Sequence, residues 1–145
     1  MDQQPKILIV EDDAFLREVY IETLEKEGFS ITSAEDGEQG LEKLKAGGWD
    51  LVLLDIIMLK LNGLEVMKKF KEDPNAKPSK TIIFLTNLDK DEEIKEALQL
   101  GDGYLIKSQM TPGDFLKEVK SFLAKNQSQP QTPPPTTPPP TPTVQ

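Results

Sequence analysis

Five short apolar runs punctuate the chain, and each is followed by a segment whose apolar residues recur with helical spacing. The runs Lys6–Val10, Ser30–Ser33, Leu51–Asp55, Thr81–Leu85 and Gly103–Ile106 read as strands. Of the intervening segments, Ala14–Glu27 carries Phe15, Leu16, Val19, Tyr20 and Leu24 on one side. Further helices are expected at Gly37–Ala46, Leu64–Lys71, Asp91–Leu100 and Thr111–Lys125. Gly28, Gly47-Gly48 and Gly101 sit where C-terminal stop signals belong. Thr111-Pro112-Gly113-Asp114 offers a capping hydroxyl, a proline at the first helical position and an acid at the third. Five strand–helix units predict an α/β fold, a doubly wound parallel sheet with helices on both faces, and Trp49 and the Leu, Ile and Val positions are assigned to its core.

The periodic pattern stops near residue 125. From Asn126 there are no charges and no glycines, and eight of the twelve prolines fall between Pro130 and Gln145. Such a segment buries too little to offset its ordering entropy, so residues 126–145 are expected to be a disordered Pro/Thr-rich tail beyond a domain of residues 1–125. The Pro-rich run is also compatible with a ligand for an aromatic groove.

A net charge of −8 and a pI near 4.6 disfavour nucleic acid and anionic membranes as partners, because both are bound through basic patches. The chain has no cysteine and no histidine, which removes thiolate and imidazole chemistry and leaves carboxylates, lysine and hydroxyls. The N-terminus is polar and the longest apolar run is too short to span a bilayer, so a cytoplasmic location is expected.

Within that apolar run stands Asp55, where an ionised carboxylate costs several kcal/mol unless it is paired. Burial of that kind marks functional positions. In an open parallel sheet the carboxyl ends of the strands form the binding rim. Glu11, Asp12 and Asp13 follow the first strand, Asp55 ends the third, Thr86 the fourth and Lys107 the fifth. Clustered carboxylates repel unless a cation lies among them, and an all-oxygen set favours Mg²⁺. Taken singly, these residues have ordinary readings: Asp55 as a cap or turn acid, Thr86 as a turn hydroxyl, Lys107 as a solvated charge, Tyr104 as core. Their weight comes from order and spacing.

That order is Val10-Glu11-Asp12-Asp13, Asp55-x-x-Met58 with Asn62-Gly63, Thr86, and Tyr104-x-x-Lys107. Over residues 6 to about 125 it resembles the receiver domain of bacterial two-component response regulators. The resemblance implies a flavodoxin-like sheet of order 2-1-3-4-5, with Asp55 as phosphoacceptor. It also implies Mg²⁺ held by Asp12, Asp55 and the Ile57 backbone carbonyl, with Glu11 in the outer shell. Asp13 falls outside the family's acid pair and is expected to cap the first helix. Lys107 and Thr86 would engage phosphoryl oxygens and Tyr104 would change rotamer, altering the face of helix four, strand five and helix five. Ile57, Asn87 and Leu88 would line the path of the hydrolytic water. The implied partners are a sensor histidine kinase or phosphotransfer protein and an output protein reached by contact, with a homodimer on phosphorylation as a further outcome. The implied chemistry is self-catalysed phosphoryl acceptance with slow autodephosphorylation, not that of a separate enzyme.

Two positions depart from the family's pattern, Leu59 and Ser108, each standing where proline is common; a trans peptide is expected before Ser108. Rival classes fit less well. A flavodoxin-like cofactor binder needs a hydroxyl- and glycine-rich loop after the first strand, and an aspartyl phosphatase needs Asp-x-Asp there. A P-loop enzyme needs a Gly-x-x-x-x-Gly-Lys loop that the chain lacks. A receiver-like scaffold that acts without phosphorylation is the remaining alternative.

Overall fold

The computed structural model describes residues 4–87 and 91–128. Leu88 and residues 129–145, most of the expected tail, lie outside it. The strands are β1 (Lys6–Val10), β2 (Ser30–Ala34), β3 (Leu51–Asp55), β4 (Ile82–Thr86) and β5 (Gly103–Ile106). The helices are α1 (Ala14–Glu25), α2 (Gly37–Ala46), α3 (Gly63–Glu72), α4 (Asp91–Leu100) and α5 (Pro112–Ser128), with a 3-10 turn at Lys107–Gln109. All strands are parallel in the order β2-β1-β3-β4-β5, as the resemblance implied.

Strand alternation divides the core in two. Leu8, Val10, Val52, Leu54, Ile82 and Phe84 face a cluster with Leu44, Val66, Met67 and Ala97, from α2, α3 and α4. Ile7, Ile9, Leu51, Leu53, Ile83, Leu85 and Leu105 face Tyr20, Leu24, Phe115, Val119 and Leu123, from α1 and α5. Both faces of the sheet are therefore covered, which is why β3 and β4 are continuous apolar runs.

Local signals set the element ends. Asp13 caps α1, its Oδ1 accepting from the Leu16 N–H at 3.1 Å. Asn62 and Glu65 form a reciprocal capping box at α3, at 2.8 and 2.9 Å, and Thr111 and Asp114 form another at α5, both bonds 3.1 Å. Helix α1 ends two residues before the expected Glu27, because the N–H groups of Glu27 and Gly28 turn back to the carbonyls of Leu24 and Glu25. Helix α5 runs three residues further than expected, to Ser128. No cis peptide occurs among the described residues, consistent with the trans bond expected before Ser108.

The expectation that the Leu, Ile and Val positions are core needs correction at three of them, and the expected apolar side of α1 needs it at Phe15. Phe15, Ile57, Leu59 and Leu98 are exposed. In α1 the inward stripe is Leu16, Tyr20 and Leu24, four residues apart, and Phe15 lies about a quarter-turn away from it. Ile57 and Leu59 belong to the β3–α3 loop, beyond the sheet, and Leu98 is the neighbour of the buried Ala97 on a helix with one inward face.

Candidate functional site at the carboxyl rim of the sheet

The alternation that packs α1 and α5 on the sheet continues past the ends of the strands. Ile7 and Ile9 lead in steps of two to Glu11, Leu51 and Leu53 lead to Asp55, and Leu105 leads to Lys107. Two acids and a lysine thus replace apolar residues at the last layer of one face. Glu11 and Asp55 are 0% and 2% exposed, the depth of the aliphatic residues before them.

These three side chains form one ion-paired unit. Lys107 Nζ donates to Glu11 Oε1 at 2.9 Å and to Asp55 Oδ2 at 2.9 Å, and its side chain is only 7% exposed. The second Glu11 oxygen accepts from the Asp13 N–H at 3.1 Å, and the Glu11 carbonyl accepts from Arg17 Nη1 at 2.9 Å, tying the start of α1 to the end of β1. Burial pushes Asp55 up, Glu11 beside it pushes further, and Lys107 only partly opposes them, leaving its carboxyl at about 7. For Lys107 burial acts downward, but Asp55 and Glu11 outweigh it and hold the ammonium above its ordinary value.

The β3–α3 loop is pressed against this unit. Gly63 N–H donates to the Ile56 carbonyl at 2.8 Å, and a Cβ on Gly63 would run into the Asp55 carbonyl, so glycine is required for that approach. Asp12, half-buried, accepts from the Leu59 N–H at 3.1 Å through Oδ2. Leucine at this departure from the family pattern supplies a donor that proline would lack.

Thr86 is buried at the end of β4, in register with Ile106 and one step past Leu85, which pairs with Asp55. It therefore lies on the same rim, between the strands that carry Asp55 and Lys107. Tyr104 is half-buried on the other face, packed against the cluster of α2, α3 and α4, and it also borders a 550 Å³ cleft toward α5 with Gln109 and Lys117. Asn87 and Ile57 are exposed at the rim. Leu88 lies outside the described residues.

Tyr20 was missed as a neighbour of the site. It stacks on Phe115 with ring centroids 4.5 Å apart, and with Lys107 it lines a 300 Å³ cleft between α1 and α5. Burial pushes its phenol up to about 12; nearby Lys107 acts downward and Glu11 and Asp55 act upward. The signal was present in the alternation, since the face that carries Ile9, Glu11 and Asp55 is the one that α1 covers.

Glu11, Asp12 and Asp55 each bring a carboxylate oxygen within 4.8 Å of the others, and no other group of three such residues could hold a metal ion among the described residues. An all-oxygen donor set on the sheet rim fits a hard divalent cation such as Mg²⁺ and offers nothing to a soft one. No helix among the described residues is long and apolar enough to cross a membrane.

A family profile described as response regulator receiver domain matches residues 7–120. The transcriptional regulatory protein ResD of Bacillus subtilis is 32% identical over 128 residues, covering 86% of this chain and 51% of ResD. DltR of Streptococcus agalactiae serotype III is 39% identical over 103 residues, covering 70% of this chain and 45% of DltR. The chain thus spans about half the length of these relatives. Among solved structures, a CheY-like response regulator receiver domain protein from Methanospirillum hungatei JF-1 matches with a TM-score of 0.75 and 28% identity, over 88% of this chain and 99% of that one. A two-component response regulator from Clostridium difficile matches with a TM-score of 0.72 and 30% identity, over 84% of this chain and 98% of that one.

Proposed function

The chain belongs to the response regulator receiver domain family, and on that premise we propose that it is a phosphorylation-dependent switch in which Asp55 accepts the phosphoryl group. The observation that carries this reading is the Lys107 bridge to Asp55 and Glu11 in a nearly closed site. A lysine so placed can exchange a carboxylate for a phosphoryl oxygen without leaving its position, whereas a structural ion pair has no need of a second buried acid.

Asp12 and Asp55, with the Ile57 carbonyl, would hold Mg²⁺ and Glu11 would support it from the outer shell. When bound, the ion offsets the negative charge of the acids and of the incoming donor. A carboxylate oxygen of Asp55 attacks phosphorus, the bond from phosphorus to the donor breaks, and the donor leaves with the electron pair. Lys107 Nζ then pairs with a phosphoryl oxygen and Thr86 donates its hydroxyl to another. The backbone from Thr86 and from Ile106-Lys107 carries that change to Tyr104 and to the face of α4, β5 and α5. Donors are a sensor histidine kinase or a phosphotransfer protein, and output is by protein contact through that face.

Beryllofluoride, which mimics a phosphoryl group on a carboxylate, tests the reading. A bound fluorine resonance should form with Mg²⁺ present and vanish with EDTA or with Asp55→Asn. A bound signal that survives Asp55→Asn would remove Asp55 from its role, one that survives EDTA would remove the metal from its own, and no signal under any condition would leave the phosphorylation-independent scaffold.

A further inference from the structure

Asp12 reaches the pocket with one carboxylate oxygen already engaged, because Oδ2 accepts the Leu59 N–H at 3.1 Å across a separation of 47 residues. The Leu59 side chain does nothing to hold that amide in place, being 69% exposed. What holds it is backbone. Leu61 N–H donates to the Leu59 carbonyl at 2.9 Å, closing a three-residue turn around Lys60, whose φ is 71°. Lys60 is the one non-glycine residue with positive φ among the described residues, and a turn of this sense is strained. Strain of that kind persists when the surroundings over-determine it. Here Gly37 N–H also reaches the Leu59 carbonyl, at 3.4 Å, and a Cβ at Gly37 would overlap the Leu61 carbonyl, so the start of α2 is pressed against the turn. Lys60 Nζ lies 3.6 Å from Asp36 and 3.8 Å from Glu38 on the same helix start.

The consequence of this bracing is an amide aimed at a single carboxylate. We propose that the Leu59 backbone N–H is a positioning group for Asp12, holding Oδ2 so that Oδ1 is presented to the cation shared with Asp55. The inference rests on the receiver reading but concerns a group which that reading does not use. A divalent ion that takes one oxygen of a carboxylate leaves the other to fix the orientation of the group, and loss of such orienting partners commonly weakens metal affinity by about 10–100-fold. The hydrogen bond is charge-assisted, which favours its survival at a partly exposed position. Because the donor is backbone, the identity of the side chain should not matter so long as the N–H is kept.

The test is a Mg²⁺ titration followed by amide chemical shifts and by calorimetry, in the full chain and three variants. Leu59→Ala keeps the N–H and should bind Mg²⁺ as the parent does. Leu59→Pro removes it, as does an ester in place of the Met58–Leu59 amide, which adds no ring and constrains no neighbour; both should bind about tenfold or more weakly. Should the proline variant fail to fold, the ester decides. In the metal-free parent the Leu59 amide should exchange with solvent more slowly than the amides flanking it. Equal affinity in the ester variant, or an equal loss in Leu59→Ala, would overturn the positioning role while leaving the receiver reading intact. A parent that does not bind Mg²⁺ at all would overturn that reading and this inference with it.

Discussion

Lys107 Nζ sits 2.9 Å from Asp55 Oδ2 with almost no access to water, and it holds Glu11 at the same distance. Removing the lysine leaves two buried carboxylates facing each other. Breaking one side of a buried pair usually costs about 3–5 kcal/mol, so Lys107→Ala should be destabilised by about 3 kcal/mol in EDTA, with Mg²⁺ restoring part of the loss. Urea denaturation with and without the metal measures both. The variant should still accept phosphate on Asp55, yet its amide spectrum across β5 and α5 should change far less on activation than the parent's. A full parental response would mean that Lys107 does not carry the coupling.

Asp55 gives the metal-free protein an unusual pH dependence. Its folded carboxyl is raised to about 7, against about 3.9 for an unfolded aspartate. The stabilisation from this group is complete below the unfolded value and is lost as pH rises through about 7. In EDTA the protein should therefore melt at a higher temperature near pH 6 than near pH 8. In saturating Mg²⁺, which requires the ionised form, the trend should reverse. Thermal melts of the parent and Asp55→Asn check this, the variant being expected to lose both trends.

The sole tryptophan should report poorly on the metal. Trp49 is buried before the start of β3, its indole N–H donating to the Lys43 carbonyl at 2.9 Å, and Asp55 closes the other end of that strand. Six residues at roughly 3.3 Å each separate them by roughly 20 Å. Fluorescence should stay flat through a Mg²⁺ titration that shifts the amides of Glu11 and Asp12; strong quenching would show that α2 packing responds to the rim.

Much of the fold was legible because its signals are local. Asp13, Asn62 and Thr111 each cap the helix that follows them, and the apolar runs of β1, β3 and β4 can be read without knowing what they pair with. The site was half legible. An aspartate ending an apolar strand stands out in one dimension, and so do acids after β1. That Lys107 reaches both Glu11 and Asp55 depends on three strands that are far apart in sequence, and local pattern does not contain it. Tyr20 under the acids and the Leu59 amide on Asp12 were hidden for different reasons. The first needed the face of each strand to be followed one step past its end. The second involves a backbone donor, which no residue type announces, and a strained turn at Lys60, which lysine does not signal.

The exposed Ile57 cannot orient a water molecule near Asp55. Groups that position or deprotonate water contribute factors of about 10²–10⁴ to such hydrolyses. The phosphorylated protein should therefore persist for many minutes to hours after the donor is removed, and Ile57→Asn should shorten its life by roughly tenfold. Decay of the parent within seconds would pass control of the water to Asn87 or to the backbone.

Asp55 is expected to take a phosphoryl group only when a divalent cation neutralises the acids around it. Incubation with acetyl phosphate followed by intact-mass measurement and peptide mapping checks this. With Mg²⁺, one phosphoryl group should appear on the peptide containing Asp55, and EDTA or Asp55→Ala should abolish it. A phosphoryl group found on another residue would take the acceptor role from Asp55, and labelling of Asp55 that is indifferent to EDTA would take the cation out of the reaction.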